Sequence, residues 1–180
     1  GVGETGLHKS TKNECEVFEA QIELALRYDQ LLLVHTPHLE DKYYGTKRIL
    51  EVLKGFSIDP SRVWIDHVEE HTIKMVKDAG YWVGFTLYPI TKCSPKRAVD
   101  MLERYGWERT LINSSADWGP SDPATLHECI FEFRRRGYGL EEALEVFYNN
   151  PVRYLSQNPK FDLPLVKMEM LTPTGAVPVA

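Results

Sequence analysis

The chain has 180 residues, of which 43% are hydrophobic and 26% charged, and its formal net charge is −5. These values are typical of a globular protein, and the apolar runs are too short to cross a bilayer, so a membrane-spanning class is excluded. The negative charge argues against binding nucleic acid through bulk positive charge, although nucleic acid stays possible as a substrate. Three scattered cysteines, Cys15, Cys93 and Cys129, form no CxxC pair and predict reduced thiols and a cytoplasmic location.

Short apolar runs rich in β-branched and aromatic residues recur along the chain and predict strands. In chain order the predicted strands are Val2–Leu7, Leu31–His35, Val63–His67, Tyr81–Leu87 and Thr110–Ser114. Segments with helical spacing of apolar residues lie between and after these strands. The predicted helices are Glu14–Tyr28, Thr46–Leu53, Thr72–Ala79, Pro95–Tyr105, Leu126–Arg136 and Leu140–Tyr148, followed by a short helix from Asn150.

The alternation of strands and helices predicts an α/β fold with a parallel sheet that is buried on both faces. Two architectures fit, an open doubly wound sheet and a (β/α)8 TIM-type barrel. A complete barrel needs about 250 residues, so this chain would carry about the last five of eight βα units, without the N-terminal strands. The start at Gly1, without Met, agrees with a fragment. We predict a barrel part over residues 1–158 and a Pro-rich extended tail over residues 159–180.

Polar side chains stand at or just after the ends of four predicted strands. They are Glu4, His35, His67 and Asp117. Because parallel strands all end at one edge of the sheet, these side chains would converge on a single mouth. Carboxylate oxygens and imidazole nitrogens are ligands for a divalent metal such as zinc. A single His or Asp at a strand end is more often structural, so the residues alone leave a metal site and a structural role open.

Five segments match motifs of one enzyme family, in the family's order and over about the first 155 residues. They are Gly3-Glu4-Thr5-Gly6-Leu7, Val34-His35-Thr36-Pro37-His38, Ile65-Asp66-His67, Phe85-Thr86-Leu87-Tyr88-Pro89 and Asn113-Ser114-Ser115-Ala116-Asp117-Trp118-Gly119. With these motifs the chain resembles the TatD family of metal-dependent hydrolases, in the amidohydrolase superfamily, and within that family the EboC-type subgroup. The resemblance implies a (β/α)8 barrel and a site for two divalent ions, which would be Zn, Mn or Mg.

The resemblance also implies a role for each strand-end residue. Glu4 would bridge the two metals, His35 and His67 would bind one of them, and Asp117 would be a ligand or the general base at the other. Three features depart from the family pattern. They are His8 where relatives have an acid, Ser115-Ala116-Asp117-Trp118-Gly119 in place of Glu-Thr-Asp-x-Pro, and the absence of the His-x-His pair of the first strand. The last departure is expected if the match begins at the family's fourth strand.

Two further residues are candidate substrate contacts. His38, three residues beyond His35, would contact an anionic substrate in the pocket or cap the next helix. Trp118, next to Asp117, would stack on a substrate ring or close the mouth of the pocket.

Other polar residues near the strand ends predict no chemistry. Alternation turns Asp66 away from the face of His67, so we expect it to be a barrel or helix-contact residue and not a metal ligand. Lys42, Lys47 and Arg48 fit a solvated surface better than a phosphate site at a helix start. Cys93 follows a strand, but no His–Cys arrangement in the sequence supports a nucleophile.

We therefore predict a metal-dependent hydrolase in which a metal-activated water, deprotonated with help from Asp117, attacks a phosphoester or related bond. The substrate would be a small molecule or a phosphoester, with no membrane partner, and the sequence does not specify the oligomeric state. The alternative is a non-catalytic metal-binding or scaffold protein in a biosynthetic pathway. A non-metal aldolase or isomerase would need a pocket lysine at a strand end, and no predicted strand supplies one.

Overall fold

The computed structural model describes residues 1–88, 90–116 and 120–170. In this part of the chain five strands form one parallel sheet in the order β1-β2-β3-β4-β5. The strands are β1 (Val2–Gly6), β2 (Leu32–His35), β3 (Val63–Asp66), β4 (Trp82–Thr86) and β5 (Thr110–Asn113). The predicted strands and the α/β class are confirmed, with every strand end within one residue of its prediction.

The helices follow the predicted pattern with two differences in extent. They are α1 (Lys12–Arg27), α2 (Lys42–Lys54), α3 (Ile73–Asp78), α4 (Pro95–Tyr105), α5 (Thr125–Arg135), α6 (Leu140–Leu144) and α7 (Asn150–Leu155). Helix α2 begins four residues before its prediction, because its first turn carries no aliphatic residue to reveal it. The predicted helix Leu140–Tyr148 is α-helical only to Leu144 and continues as a π-turn over Glu145–Asn149. No helix of the described residues is long and apolar enough to span a membrane.

The two faces of the sheet have different cores. Val34, Ile65 and Val83 point to the face covered by helices and belong to the main hydrophobic cluster. Each such fully buried aliphatic side chain contributes about 1.5–3 kcal/mol relative to an exposed one. The alternate residues Trp64 and Trp82 point to the opposite face, where they form a second, smaller cluster. The strands are therefore apolar on both faces, as the sequence predicts for a parallel sheet.

The strand order distinguishes between the two architectures that the sequence left open. A doubly wound sheet reverses its strand order at a switch point, whereas a barrel adds each strand beside the previous one. The order of β1 to β5 is consecutive and is therefore that of a barrel sector. Within the described residues β1 and β5 are edges, so this sheet is open and not a closed barrel.

The segment after α7 contacts the body of the protein. Asn149 donates a hydrogen bond to Val166 O at 2.9 Å, and Val166 N donates one to the Asn149 side chain at 2.9 Å. A single helical turn, Met168–Met170, ends the described part. Residues 171–180 of the predicted tail lie outside the described residues, and a boundary at residue 158 stays a prediction.

Candidate metal centre

Three of the four predicted metal ligands meet at the C-terminal edge of the sheet. Glu4, His35 and His67 each offer one donor atom, and these atoms lie within 4.8 Å of one another. Glu4 Oε1 lies 2.7 Å from His67 Nε2, and the rings of His35 and His67 are 6.0 Å apart at 88°. The other predicted residues of the site, Asp117 and Trp118, lie outside the described residues.

Two glycines make room for this cluster. A Cβ on Gly6, whose φ is +145°, would lie 2.2 Å from His35 O and 2.8 Å from the His35 ring. A Cβ on Gly84 would lie 2.0 Å from Trp64 Nε1 and 2.2 Å from Asp66 Oδ1. Both contacts are far below van der Waals distance, so any larger residue would displace His35 or Asp66.

Asp66 faces the site, contrary to the prediction from strand alternation. Strand β3 ends at Asp66, and the next residue, His67, has a left-handed backbone with φ +59°. This turn of the backbone breaks the alternation, and both side chains line the same cavity. The period-2 rule holds only while the chain remains a strand, which explains the error.

Asp66 supports His67 through Thr86. Asn113 Nδ2 donates to both Asp66 oxygens, at 2.9 and 3.1 Å, and Thr86 Oγ1 donates to the same carboxylate at 3.2 Å. A hydroxyl has one proton to donate, so the 2.6 Å contact of Thr86 Oγ1 with His67 Nδ1 assigns the donor to the histidine. His67 Nε2 lies 2.7 Å from Glu4 Oε1 in this structure, and when a cation replaces that contact the Nδ1–H tautomer leaves Nε2 free to bind it.

A buried lysine holds the backbone below the site. Lys42 is 1% exposed, and its Nζ donates to Thr36 Oγ1 at 2.9 Å and to His67 O at 2.8 Å. Burial lowers the pKa of Lys42 to about 8. The prediction of a solvated surface residue is therefore wrong for Lys42, while Lys47 and Arg48 are exposed as predicted.

The protonation of two ligands fits cation binding near neutral pH. The pKa of Glu4 is lowered, mainly by the hydrogen bond from His67. Partial burial opposes this shift, and the positive charges of His67, His35 and Lys92 add to it. Burial lowers the pKa of His35, against the opposing charge of Glu4. Glu4 is therefore ionised and His35 neutral at pH 7, which leaves their donor atoms available to a metal.

His38 also faces the site. Its ring centroid lies 5.7 Å from that of His67 and 6.4 Å from that of His35, and its side chain makes no helix-capping hydrogen bond. Burial, followed by the positive charges of Lys42 and His67, lowers the pKa of His38 to about 4. Its Nδ1 is buried without a hydrogen-bond partner among the described residues. A neutral imidazole with this atom unpaired can accept a hydrogen bond from a ligand.

Lys92 belongs to the site, although the sequence patterns did not reveal it. It follows β4 by six residues, and a turn brings its Nζ to 3.5 Å from His67 Nε2. Lys92 lies in the loop after β4 and not at a strand end, so the strand-end pattern of polar residues does not mark it. The nearby Cys93 is buried, and burial raises its pKa well above the usual range, so it is not an activated nucleophile.

The donor set fits a divalent cation. One carboxylate oxygen and two imidazole nitrogens are suitable ligands for zinc and similar ions. The carboxylate–threonine–histidine chain supplies the outer hydrogen bonds that histidine ligands use to fix their tautomer.

A model of the family described as TatD related DNase matches residues 1–153. The chain belongs to the TatD family. An uncharacterized metal-dependent hydrolase of Methanocaldococcus jannaschii is 28% identical over 149 residues, which are 83% of this chain and 58% of that protein. The TatD family membership predicted from the five motifs is confirmed.

Solved structures agree with this TatD assignment. A TatD-like protein from Archaeoglobus fulgidus has a TM-score of 0.67 and 29% identity over 86% of this chain and 59% of its own. The phosphotriesterase homology protein of Escherichia coli has a TM-score of 0.62 and 21% identity over 82% of this chain and 55% of its own, which shows a shared fold. The chain thus spans less than two thirds of the length of these relatives.

Proposed function

We propose that this TatD family protein is a metal-dependent hydrolase of phosphoester or related ester bonds. The observation that carries the proposal is the convergence of Glu4, His35 and His67, with donor atoms within 4.8 Å of one another. The hydrogen bonds from Asn113 and Thr86 to Asp66 add a support that a purely structural histidine cluster does not need.

The residues take the roles that the family resemblance implies. Glu4, His35 and His67 would hold the divalent ions, Zn, Mn or Mg, with Glu4 as the ligand shared by two ions and both histidines as ligands of one of them. A bound divalent ion lowers the pKa of a coordinated water and polarises the bond under attack. Asp117 is a ligand or the general base that takes the proton from the attacking water. His38 and Trp118 contact the substrate.

The substrate is a small molecule or a nucleic acid with a phosphoester bond, and the chain is of the EboC-type subgroup and cytoplasmic. Residues 1–158 hold about the last five βα units of the barrel, and residues 159–180 form the tail. A non-catalytic metal-binding or scaffold role is not favoured, because the family and the relative from M. jannaschii are hydrolases by name.

Titration calorimetry with Mn²⁺ and Zn²⁺ tests the metal centre. We expect His67→Ala to weaken binding at least about tenfold, because one of three described ligands is lost. His127→Ala, a change at an exposed histidine of α5, should leave the affinity unchanged. Equal affinities for wild type and His67→Ala would reject this site.

A separate assay of the metal-loaded protein tests turnover, by measuring hydrolysis of bis(p-nitrophenyl) phosphate and of p-nitrophenyl acetate. Asp117→Asn should abolish hydrolysis while the protein stays folded and binds metal. Retained hydrolysis in that variant would refute the role of Asp117.

A further inference from the structure

The two histidine ligands of the candidate metal centre are held in different ways. His35 is the last residue of β2 and pairs in register with Asp66, the last residue of β3. His67 follows β3, so the parallel ladder between β2 and β3 ends before it. The backbone of His67 is left-handed, with φ +59°, a conformation that residues with a side chain seldom adopt. The position of His67 relative to His35 therefore depends on contacts outside the sheet.

Lys42 and Thr36 supply such contacts. Lys42 Nζ donates to His67 O at 2.8 Å and to Thr36 Oγ1 at 2.9 Å. Because an ammonium only donates, the Thr36 hydroxyl accepts from it and keeps its own proton for Asp66 O, which at 2.9 Å is closer than His67 O at 3.3 Å. Thr36 also directly follows His35 in the chain. The lysine and the threonine together thus connect the backbone beside one histidine ligand to the two carbonyl groups of the turn that carries the other.

Lys42 is itself fixed and shielded from water. It is the first residue of α2 and is 1% exposed. Its carbonyl accepts a hydrogen bond from Thr46 Oγ1 at 2.6 Å, and its Nζ lies 3.9 Å from Glu69 Oε1. Glu69 in turn pairs with Arg97 at 3.1 Å. Hydrogen bonds are electrostatically stronger in such a dry environment than in water, so the bonds that Lys42 donates restrain the turn firmly.

Lys42 reaches the centre only through this turn. The described residues that line the cavity of the metal centre include Asp66 and His67 but not Lys42. Loss of its amino group would therefore leave every described metal ligand in the chain and change only where the imidazole of His67 lies. A Zn–N bond is about 2.0–2.1 Å long, so even a small displacement of one imidazole weakens the coordination of an ion.

We propose that Lys42 is a positioning residue that sets the separation and the angle between the imidazoles of His35 and His67, and with them the coordination geometry that the centre offers a divalent ion. The inference rests on the proposed function, because the ion must bind to these two histidines. Lys42 lies outside the five motifs that carry the resemblance to the TatD family, so the resemblance assigns it no role.

Titration of Co²⁺ into the protein, followed by visible absorption, tests the inference. The visible bands of bound Co²⁺ report the number and the arrangement of its ligands, which general stability does not change. We expect Lys42→Met to weaken Co²⁺ binding by about ten- to a hundredfold, the usual cost of losing an outer-shell partner. At saturation the bands of this variant should differ from those of wild type in position or intensity, because the two imidazoles meet the ion at a changed angle.

Lys77→Met is the matched control. Lys77 Nζ also donates to two backbone carbonyls, those of Gly106 at 3.0 Å and Glu108 at 2.9 Å. Both carbonyls precede β5, so they lie at the end of the sheet opposite the metal centre. Lys77→Met should bind Co²⁺ with the affinity and the spectrum of wild type, even if urea unfolding shows that both lysine variants are less stable.

Thr36→Val keeps the inference testable if Lys42→Met does not fold. This change retains the lysine but removes the hydroxyl that links it to Asp66 O. It should change the Co²⁺ bands in the same direction as Lys42→Met, with a smaller loss of affinity, since the bond from Lys42 to His67 O remains.

The outcomes separate the role of Lys42 from the metal centre itself. Wild-type Co²⁺ affinity and bands in folded Lys42→Met, or in Thr36→Val if the lysine variant is unfolded, would overturn the role of Lys42 alone. Equal changes in Lys77→Met would overturn it too, because they would trace the effect to stability. Wild-type protein that binds no Co²⁺, or that binds it no better than His67→Ala does, would overturn the proposed function as well.

Discussion

Asp66 is a buried carboxylate that two neutral side chains hydrogen-bond. It accepts hydrogen bonds from Asn113 and Thr86, and its Oδ2 lies 3.5 Å from His67 Nδ1. Burying such a group is costly unless its oxygens are hydrogen-bonded, and here both oxygens accept hydrogen bonds. Its effect is to orient the ring and to direct the Nε2 lone pair toward the cation.

At this residue scale, Thr86→Val tests whether the chain of hydrogen bonds supports metal binding. Valine has nearly the same shape but removes the hydroxyl between Asp66 and His67. We expect Mn²⁺ affinity to fall by about ten- to a hundredfold in calorimetry, the usual cost of losing an outer-shell partner.

Thr110→Val is the matched control for that change. Thr110 is also fully buried in a strand, and among the described residues its hydroxyl donates only to Glu108 O, at 3.4 Å. A similar loss of Mn²⁺ affinity in both variants would show that Thr86 acts through general stability and not through His67.

At the scale of single elements, the start of α1 organises the loop that follows β1. Glu14 accepts hydrogen bonds from the backbone N–H groups of His8, Lys9 and Thr11 at 2.7 to 3.2 Å. Thr11 Oγ1 accepts in return from Glu14 N at 3.3 Å, which completes a capping box. The box fixes the loop whose residue His8 lies 6.3 Å from the ring of His38.

The capping box predicts an acid-sensitive contribution to stability. Slight burial raises the pKa of Glu14, but the hydrogen bonds from backbone N–H groups lower it by more. The net result is a pKa of about 2, against an ordinary value of 4.5. Because the folded state prefers the ionised form, the contribution is complete above pH 4.5 and is lost as the pH falls toward 2. We expect it to be about 1 kcal/mol, a typical value for a helix cap at the surface.

Urea unfolding of wild type and Glu14→Gln at pH 6 and pH 2.5 measures this contribution. The difference in unfolding free energy between the two proteins should be present at pH 6 and small at pH 2.5. Glu19→Gln, an exposed change later in α1, should show no such difference at either pH. A difference for Glu14→Gln that does not change with pH would contradict the assignment to its charge.

At the scale of the whole molecule, the C-terminal helix α7 packs against the N-terminal ends of strands β2, β3 and β4. Tyr154 packs against Trp64 and Trp82, with ring centroids 5.9 and 5.5 Å away. Its hydroxyl lies 3.0 Å from Leu32 O and 3.3 Å from Arg62 O, although it follows them by 122 and 92 residues. This contact covers part of the sheet face that the outer helices do not.

Tyr154→Phe should therefore destabilise the protein without changing its site. Loss of the hydroxyl leaves a buried carbonyl without its donor, and we expect the free energy of unfolding in urea to fall by about 1–2 kcal/mol. Tyr44→Phe, at a residue that is 75% exposed, should have no measurable effect. Mn²⁺ affinity should be unchanged in both variants, and equal stability of the two would refute the bridging role of Tyr154.

Five strands, most of the helices, the TatD family and the meeting of Glu4, His35 and His67 at one sheet edge could all be predicted from the sequence. These features follow from local periodicity and from the rule that parallel strands end at the same edge. The consecutive strand order, the inward turn of Asp66, the burial of Lys42 and the approach of Lys92 to His67 became visible only in the folded chain. The contacts of these three side chains join residues 20 to 47 positions apart through loops and through the left-handed residue His67, and no repeating pattern encodes such contacts.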